Sequence, residues 1–183
     1  MSTPTTRATL ADLTRHPGKA ELVGGRIVEL MSTGRRPNRI AGRIYRSLDD
    51  HATAHGGEAY TDNMGFTVPE LPSGRESFSP DASYYSGPFP DNEMSFIEGA
   101  PTFAVEVRSE FDYGQAADKE IAAKRDDYFR AGTQVVWDVD PVAETIVRYR
   151  PGDPQGMIFR RGDMADAEPA VGGWRIAVDA VFA

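Results

Sequence analysis

Asp81, which follows Pro80 at the head of the run ASYY, and Glu106, in the middle of the apolar FAVEV of Phe103 to Val107, are the residues whose placement suggests chemistry. Side chains alternate faces along a strand, so Ala104, Glu106 and Arg108 share one side while Phe103, Val105 and Val107 share the other. A carboxylate near the centre of a covered strand is costly unless it meets a cation, a hydrogen-bond network or water. If SPDASYY lies beside FAVEV, Asp81 and Glu106 make an oxygen-rich pair suited to magnesium or manganese, with waters and phosphate oxygens filling the remaining positions. Such an ion acidifies water and stabilises charge on phosphoryl oxygens. The competing reading is a strand-end aspartate and a salt-bridged glutamate.

Lys124 adds a cation to this set. Ala117, Ile121 and Tyr128 form an apolar stripe at helical spacing, and Lys124 falls on the same face. From there its ammonium can pair with Glu106 or Asp81, or touch a phosphate; snorkelling to solvent is the alternative. Glu21 reads either as a third carboxylate assisting a metal-bound water or as a solvated strand end, and pattern alone favours the strand end. Arg108 is either a phosphate clamp or a partner of the acids, since a guanidinium stays protonated and makes a poor general base.

These groups depend on the elements that carry them. AELVGGRIVELM, from Ala20 to Met31, predicts a hairpin with a primed turn at Gly24-Gly25. From Pro37 onward, Ile40, Ile44 and Leu48 recur every four residues, the mark of an amphipathic helix ending near Gly56-Gly57. Residues 58–87 read as short strands around an exposed turn, PELPSGRES, and FPDNEMSFIEGAP as a connection or lid with few apolar anchors. Ala116 to Ala131 predicts a helix stopped at Gly132, followed by QVVWDVDP and ETIVRYR as strands and by WRIAVDAVF as a last strand or short helix. This order fits an α/β (α+β) fold, a mixed central sheet flanked by helices. Residues 1–16 read as a polar arm and residues 17–183 as a single domain.

Composition narrows the function classes. A chain of 183 residues without cysteine suits one domain and excludes a disulfide scaffold or a thiolate metal site. A formal net charge of −8 opposes bulk coating of nucleic acid, although a few arginines and bound divalent cations can reverse the field locally. With no apolar signal core at the N-terminus and no bilayer-length apolar run, no membrane partner and a cytoplasmic location are expected. His51 and His55 are spaced i,i+4 but lack the glutamate of a zinc-protease motif, and no Walker loop or dinucleotide fingerprint is present. Arg35, Arg36, Arg39 and Arg43 read as a nucleic-acid contact or a solvated patch. Tyr84, Tyr85, Trp137 and Tyr149 could meet bases, though strand aromatics more commonly pack a core. Asp138 and Asp140 share one strand face and read as a polar edge or turn support.

The segments ELVGGRIVEL, SPDASYY, FAVEVRSEFD and KRDDYFRAGTQVVWDVDP followed by TIVRYR, in this order, resemble the Uma2 family of the PD-(D/E)XK nuclease superfamily, a family also described as a domain of unknown function. The resemblance spans roughly residues 20–150. It implies a restriction-endonuclease-like core with a mixed central β-sheet, flanking helices and an N-terminal β-hairpin. It also implies a divalent-metal site, Mg2+ or Mn2+, at strand ends. Asp81 matches the aspartate of the family's PD motif, Glu106 its glutamate, Glu21 the early glutamate of the ELxxG segment and Lys124 the lysine before Tyr128. The wider superfamily places a lysine two residues after the glutamate, where this chain has Arg108; Uma2-like proteins move that role onto the following helix, which makes Lys124 the candidate. The function implied is a metal-dependent endonuclease acting on nucleic acid, DNA first, in a homodimer. The alternative is a catalytically weak or inactive nuclease-like domain that binds protein or nucleotide.

Overall fold

The computed structural model describes residues 7–183, so the first six residues of the expected arm lie outside the described residues. The chain begins with α1 (Leu10–Thr14), the strand pair β1 (Ala20–Val23) and β2 (Arg26–Glu29), and the long helix α2 (Arg35–His55). Short strands follow: β3 (Glu58–Thr61), β4 (Phe66–Thr67), β5 (Ser77–Phe78), β6 (Ala82–Tyr85) and β7 (Ile97–Glu98). Then come β8 (Phe103–Val107), α3 (Gln115–Ala131), β9 (Val135–Asp140) and β10 (Thr145–Arg150). The C-terminal part adds β11 (Asp153–Phe159), β12 (Met164–Asp166), β13 (Arg175–Ala177) and α4 (Val178–Val181).

A six-stranded sheet in the order β11-β10-β9-β8-β6-β3 forms the centre. β8 and β9 run parallel and the other neighbours antiparallel, and α3 supplies the crossover that a parallel pair requires. This is the mixed α/β architecture expected from the sequence. One face is covered by α2, whose Ile40, Ile44 and Leu48 pack on Phe103, Val105 and Trp137 together with Trp174 and Val178. The opposite face carries Ala104 and Val136 under Tyr128 of α3 and the small sheet formed by β4, β5 and β7. The alternation of FAVEV is therefore realised as two different cores, with Glu106 on the α3 side. No described helix is long and apolar enough to cross a membrane.

The turn between β1 and β2 holds Gly24 and Gly25 at φ 59° and 68°. Both central residues of a type I′ turn need this left-handed backbone, and glycine adopts it without steric cost. The described part of the arm packs rather than trailing: Thr9 and Asp12 form a capping box at α1, Leu13 is buried, and the Ala8 N–H donates to Gly25 O.

Several local expectations are corrected. Ile97, inside the expected lid, pairs with Phe66 and is fully buried, so this connection is pinned at its far end. PELPSGRES does not lie wholly exposed: Leu71 and Gly74 close a turn, and Arg75 beyond it points inward. β11 and β12 were not legible, because DPQGMIF contains Pro154 and Gly156 and its side chains are mostly exposed at the sheet edge. Tyr84, Tyr85 and Trp137 are core side chains and do not present faces to bases. Asp138 is buried on an interior strand instead of forming a polar edge, whereas Asp140 accepts from the Val142 and Ala143 N–H groups and does support the turn.

Candidate acid and lysine site

The site is built on the pairing of β6 with β8. Ala82 lies opposite Val105, so one further step of this antiparallel register sets Asp81 opposite Glu106. Pro80 has no N–H and ends the ladder there. Asp81 extends it by a mixed device: its N–H donates to Val105 O at 3.1 Å, and its Oδ2 accepts from the Val107 N–H at 2.8 Å. The aspartate is thereby fixed to the backbone of β8, while its Oδ1 accepts from Lys19 Nζ at 3.2 Å.

α3 delivers the cation. Gly132, at φ 108°, ends this helix in the left-handed conformation, and its N–H turns back to Phe129 O and Tyr128 O. Lys124, Asp127 and Tyr128 stand at i, i+3 and i+4, so all three look down on the sheet. Lys124 Nζ lies 3.0 Å from Glu106 and 3.0 Å from Glu21. Tyr128 OH donates to Glu106 Oε1 at 2.6 Å. The inward orientation of the lysine, rather than snorkelling, is what the structure contains.

Glu21 is no solvated strand end. It is only 3% exposed, accepts the Ser79 N–H at 3.0 Å and is ion-paired to Arg75 as well as Lys124. Arg75 in turn donates to Asp127 at 3.0 Å. On the other flank Lys19 pairs with Asp62 and lies 3.2 Å from Asp81. The result is two adjoining ion-pair groups, Lys19 with Asp62 and Asp81, and Arg75 and Lys124 with Glu21, Glu106 and Asp127, together five carboxylates and three cations. Their combined formal charge is two negative units.

Proton affinities divide the acids. Burial pushes the Glu106 carboxyl above its ordinary value, and Asp81 and Glu21 add repulsion, which Lys124 and the Tyr128 hydroxyl only partly offset. Burial also acts upward on Glu21, but Lys124, Arg75 and the Ser79 N–H together bring it below the ordinary range. Burial opposes the charge on Lys124; Glu106 and Glu21 outweigh it and hold the ammonium more firmly protonated than a free lysine. Lys124 thus holds its positive charge between the two acids.

A pH-dependent prediction follows from Glu106. Because its folded pKa is raised, the native state binds more protons than the unfolded chain above about pH 4.3, the reference value for a glutamate, and ionising it there lowers stability. Glu106→Gln removes that loss, so the melting temperature of the variant relative to wild type is expected to climb as pH rises from 4 to 7. Thermal melts at a series of pH values check this; a constant difference across the range overturns it.

Arg108 stands apart from the acid pair. Its guanidinium is clamped by Asp138 at 2.9 and 2.8 Å and by Asp118 at 2.8 Å, and lies 5.8 Å from the centre of the Tyr113 ring. It thus joins β9 to the start of α3, the partner-of-acids option, with acids other than Asp81 and Glu106. Of the basic cluster on α2, Arg36 pairs with Glu144 and Arg43 donates to Val181 O. The His51 and His55 rings stack at 4.1 Å.

Sequence reasoning missed Lys19, Arg75, Asp62 and Asp127. Two of them had a usable signal: Lys19 is two residues before Glu21 on the same strand face, and Asp127 is three residues after Lys124 on the same helix face. Arg75 and Asp62 had none, since each reaches the site from a loop. Among the described residues, no group of three or more His, Cys, Asp or Glu side chains is disposed to hold a metal ion.

The family profile of Uma2, described as "Putative restriction endonuclease", matches residues 8–179 of this chain. Among solved structures, the chain is similar to one described as "a putative nuclease belonging to DUF820" from Anabaena variabilis ATCC 29413, with a TM-score of 0.73 and 19% identity over 95% of this chain and 97% of that one. No curated protein matches the chain. Since the family profile covers nearly the whole length, the chain belongs to the Uma2 family.

Proposed function

We propose that this protein is a nuclease-fold domain whose acid and lysine centre is catalytically weak in its own right and acts in binding, with a nucleotide as the ligand. The observation that carries this reading is the occupation of the acids by the chain's own groups. Glu106 is held by Lys124 and Tyr128, Glu21 by Arg75, Lys124 and the Ser79 N–H, and Asp81 by Lys19 and the Val107 N–H. Glu106, which holds its proton more tightly than a free glutamate, is a weaker ligand for a hard cation, because coordination requires the deprotonated form. Lys19, Arg75 and Lys124 instead offer positive charge to a phosphate that displaces one of the carboxylates.

A second reading, metal-dependent phosphodiester hydrolysis, is favoured by the charge of the same cluster. Five carboxylates against three cations leave two negative charges, which one divalent ion would neutralise. The oxygen donors of Asp81 and Glu106 suit Mg2+ or Mn2+, which needs only one or two protein carboxylates and keeps several waters. Bound there, the ion would supply an acidified water and charge stabilisation for the phosphoryl group. Asp81 and Glu106 would hold it, Glu21 would fix Lys124 and assist at the second rank, and Lys124 would orient the water or steady the phosphate. The substrate under this reading is nucleic acid, DNA first, and a homodimer would bring two such centres to the two strands of a duplex.

Cleavage of circular and linear DNA, single-stranded DNA and RNA by wild type and Glu106→Gln, with Mg2+, Mn2+ or chelator, separates the two readings. The binding reading expects no cleavage above the level of the variant. Cleavage by wild type that needs the metal and disappears in Glu106→Gln overturns it in favour of hydrolysis.

A further inference from the structure

Beside the acid centre runs a groove of about 480 Å³ that the site described so far does not use. Its walls include His16 and Lys19 from the approach to β1, Glu29 and Met31 from the end of β2, and Asp62 and Asn63 from the turn after β3. Lys19 belongs to both places, since its ammonium touches Asp62 in the groove and lies 3.2 Å from Asp81 in the centre. A ligand in the groove thus abuts the acid pair. The size falls within the range of pockets for small organic ligands, about 300–1,000 Å³.

The lining decides what part of a ligand fits. Lys19 is held by Asp62 and Asp81, and the His16 ring lies 3.2 Å from Glu29, so a phosphate gains Lys19 only by displacing one of its carboxylates. What remains open is acceptor capacity. The Glu29 side chain is 77% exposed and Asp62 41%, and each carboxylate has lone pairs beyond its ion pair. Asn63 adds an amide with donors and an acceptor. Met31, 83% exposed, supplies a polarizable apolar face of the kind that packs on flat rings. An apolar face with edge acceptors is the complement of a nucleobase bearing an exocyclic amino group, as a carboxylate accepting from cytosine N4 illustrates.

We propose that this groove receives an unpaired adenine or cytosine base of a nucleotide or single strand whose phosphate lies toward Lys19 and the acid centre. The inference rests on the nucleotide-binding reading of that centre. A paired base keeps its Watson–Crick edge and both faces occupied, so the ligand is single-stranded. Thymine offers O4 where the others offer an amino group, and a carboxylate repels it.

The test is fluorescence anisotropy with short labelled single strands of dA, dC and dT and a labelled duplex, using the full chain with and without Mg2+. Wild type is expected to bind dA and dC about fivefold to a hundredfold more tightly than dT, the range that one or two amino-to-carboxylate contacts give. Glu29→Gln is expected to bring that ratio toward one while leaving dT binding in place. Glu29 is exposed, so its variant keeps the fold, and Met31→Ala gives an independent check by weakening all strands alike. Equal binding of dA, dC and dT by wild type overturns the groove proposal and leaves the reading of the acid centre standing. No binding of any strand overturns both.

Discussion

Glu21→Ala is expected to destabilise the domain by about 3–5 kcal/mol, because it removes the one carboxylate that joins Arg75 to Lys124 inside a covered site. The alanine leaves the Ser79 N–H without its acceptor and leaves Arg75 with only Asp127, and Lys124 with only Glu106, as carboxylate partners. For a chain of this size the melting temperature should fall by roughly 6–20 °C. The sign with pH is fixed by the lowered proton affinity of Glu21. Its stabilisation is present above the unfolded value and is lost as pH falls through the folded one, so the penalty of the alanine is largest near neutrality and shrinks in acid. Urea unfolding at pH 7 and in acid measures both. Glu21→Gln, which keeps an oxygen for Ser79, should lose less. A change within about 0.5 kcal/mol for the alanine would instead describe a solvated strand end.

Trp137→Ala is expected to cost about 3–5 kcal/mol, the usual range for deleting a large buried aromatic side chain. Trp137 is fully buried, 5.2 Å from the ring centres of both Phe103 and Trp174, and its Nε1–H donates to Asp166 O at 3.1 Å. Losing it opens a void between the central strands and the C-terminal β12–β13 pair and leaves that carbonyl without its donor. The same variant separates core from ligand contact. Binding of dC by the fraction that remains folded should match wild type, because the indole lies on the α2 face of the sheet and the groove lies elsewhere. Denaturant midpoints and anisotropy on one preparation read both quantities, and weakened binding without loss of stability would return Trp137 to the role of a base contact.

The parts of the fold that could be read from the sequence are those whose pattern is local. Gly24-Gly25 marks a turn because only glycine is at ease there, and Ile40, Ile44 and Leu48 mark a helix because one face must be apolar. Strand alternation alone assigned Glu106 to the face opposite Phe103 and Val105, and helical spacing alone assigned Lys124 to the face of Tyr128. β7, β11 and β12 had no such pattern. Two or three residues hold no period, and a sheet edge does not require one face to be buried.

The sequence by itself determined the strand face of Glu106 and the helix face of Lys124, and the family to which the order of the segments belongs. Only the tertiary structure decided what they meet. Register brings Asp81 opposite Glu106 across 25 residues of chain, and loops carry Arg75 and Asp62 to acids that have no fixed spacing from them. Periodicity reports the face a side chain takes relative to its own backbone, whereas an ion pair between elements depends on how those elements pack. That packing turned a list of carboxylates into a nearly neutralised cluster with a groove at its edge.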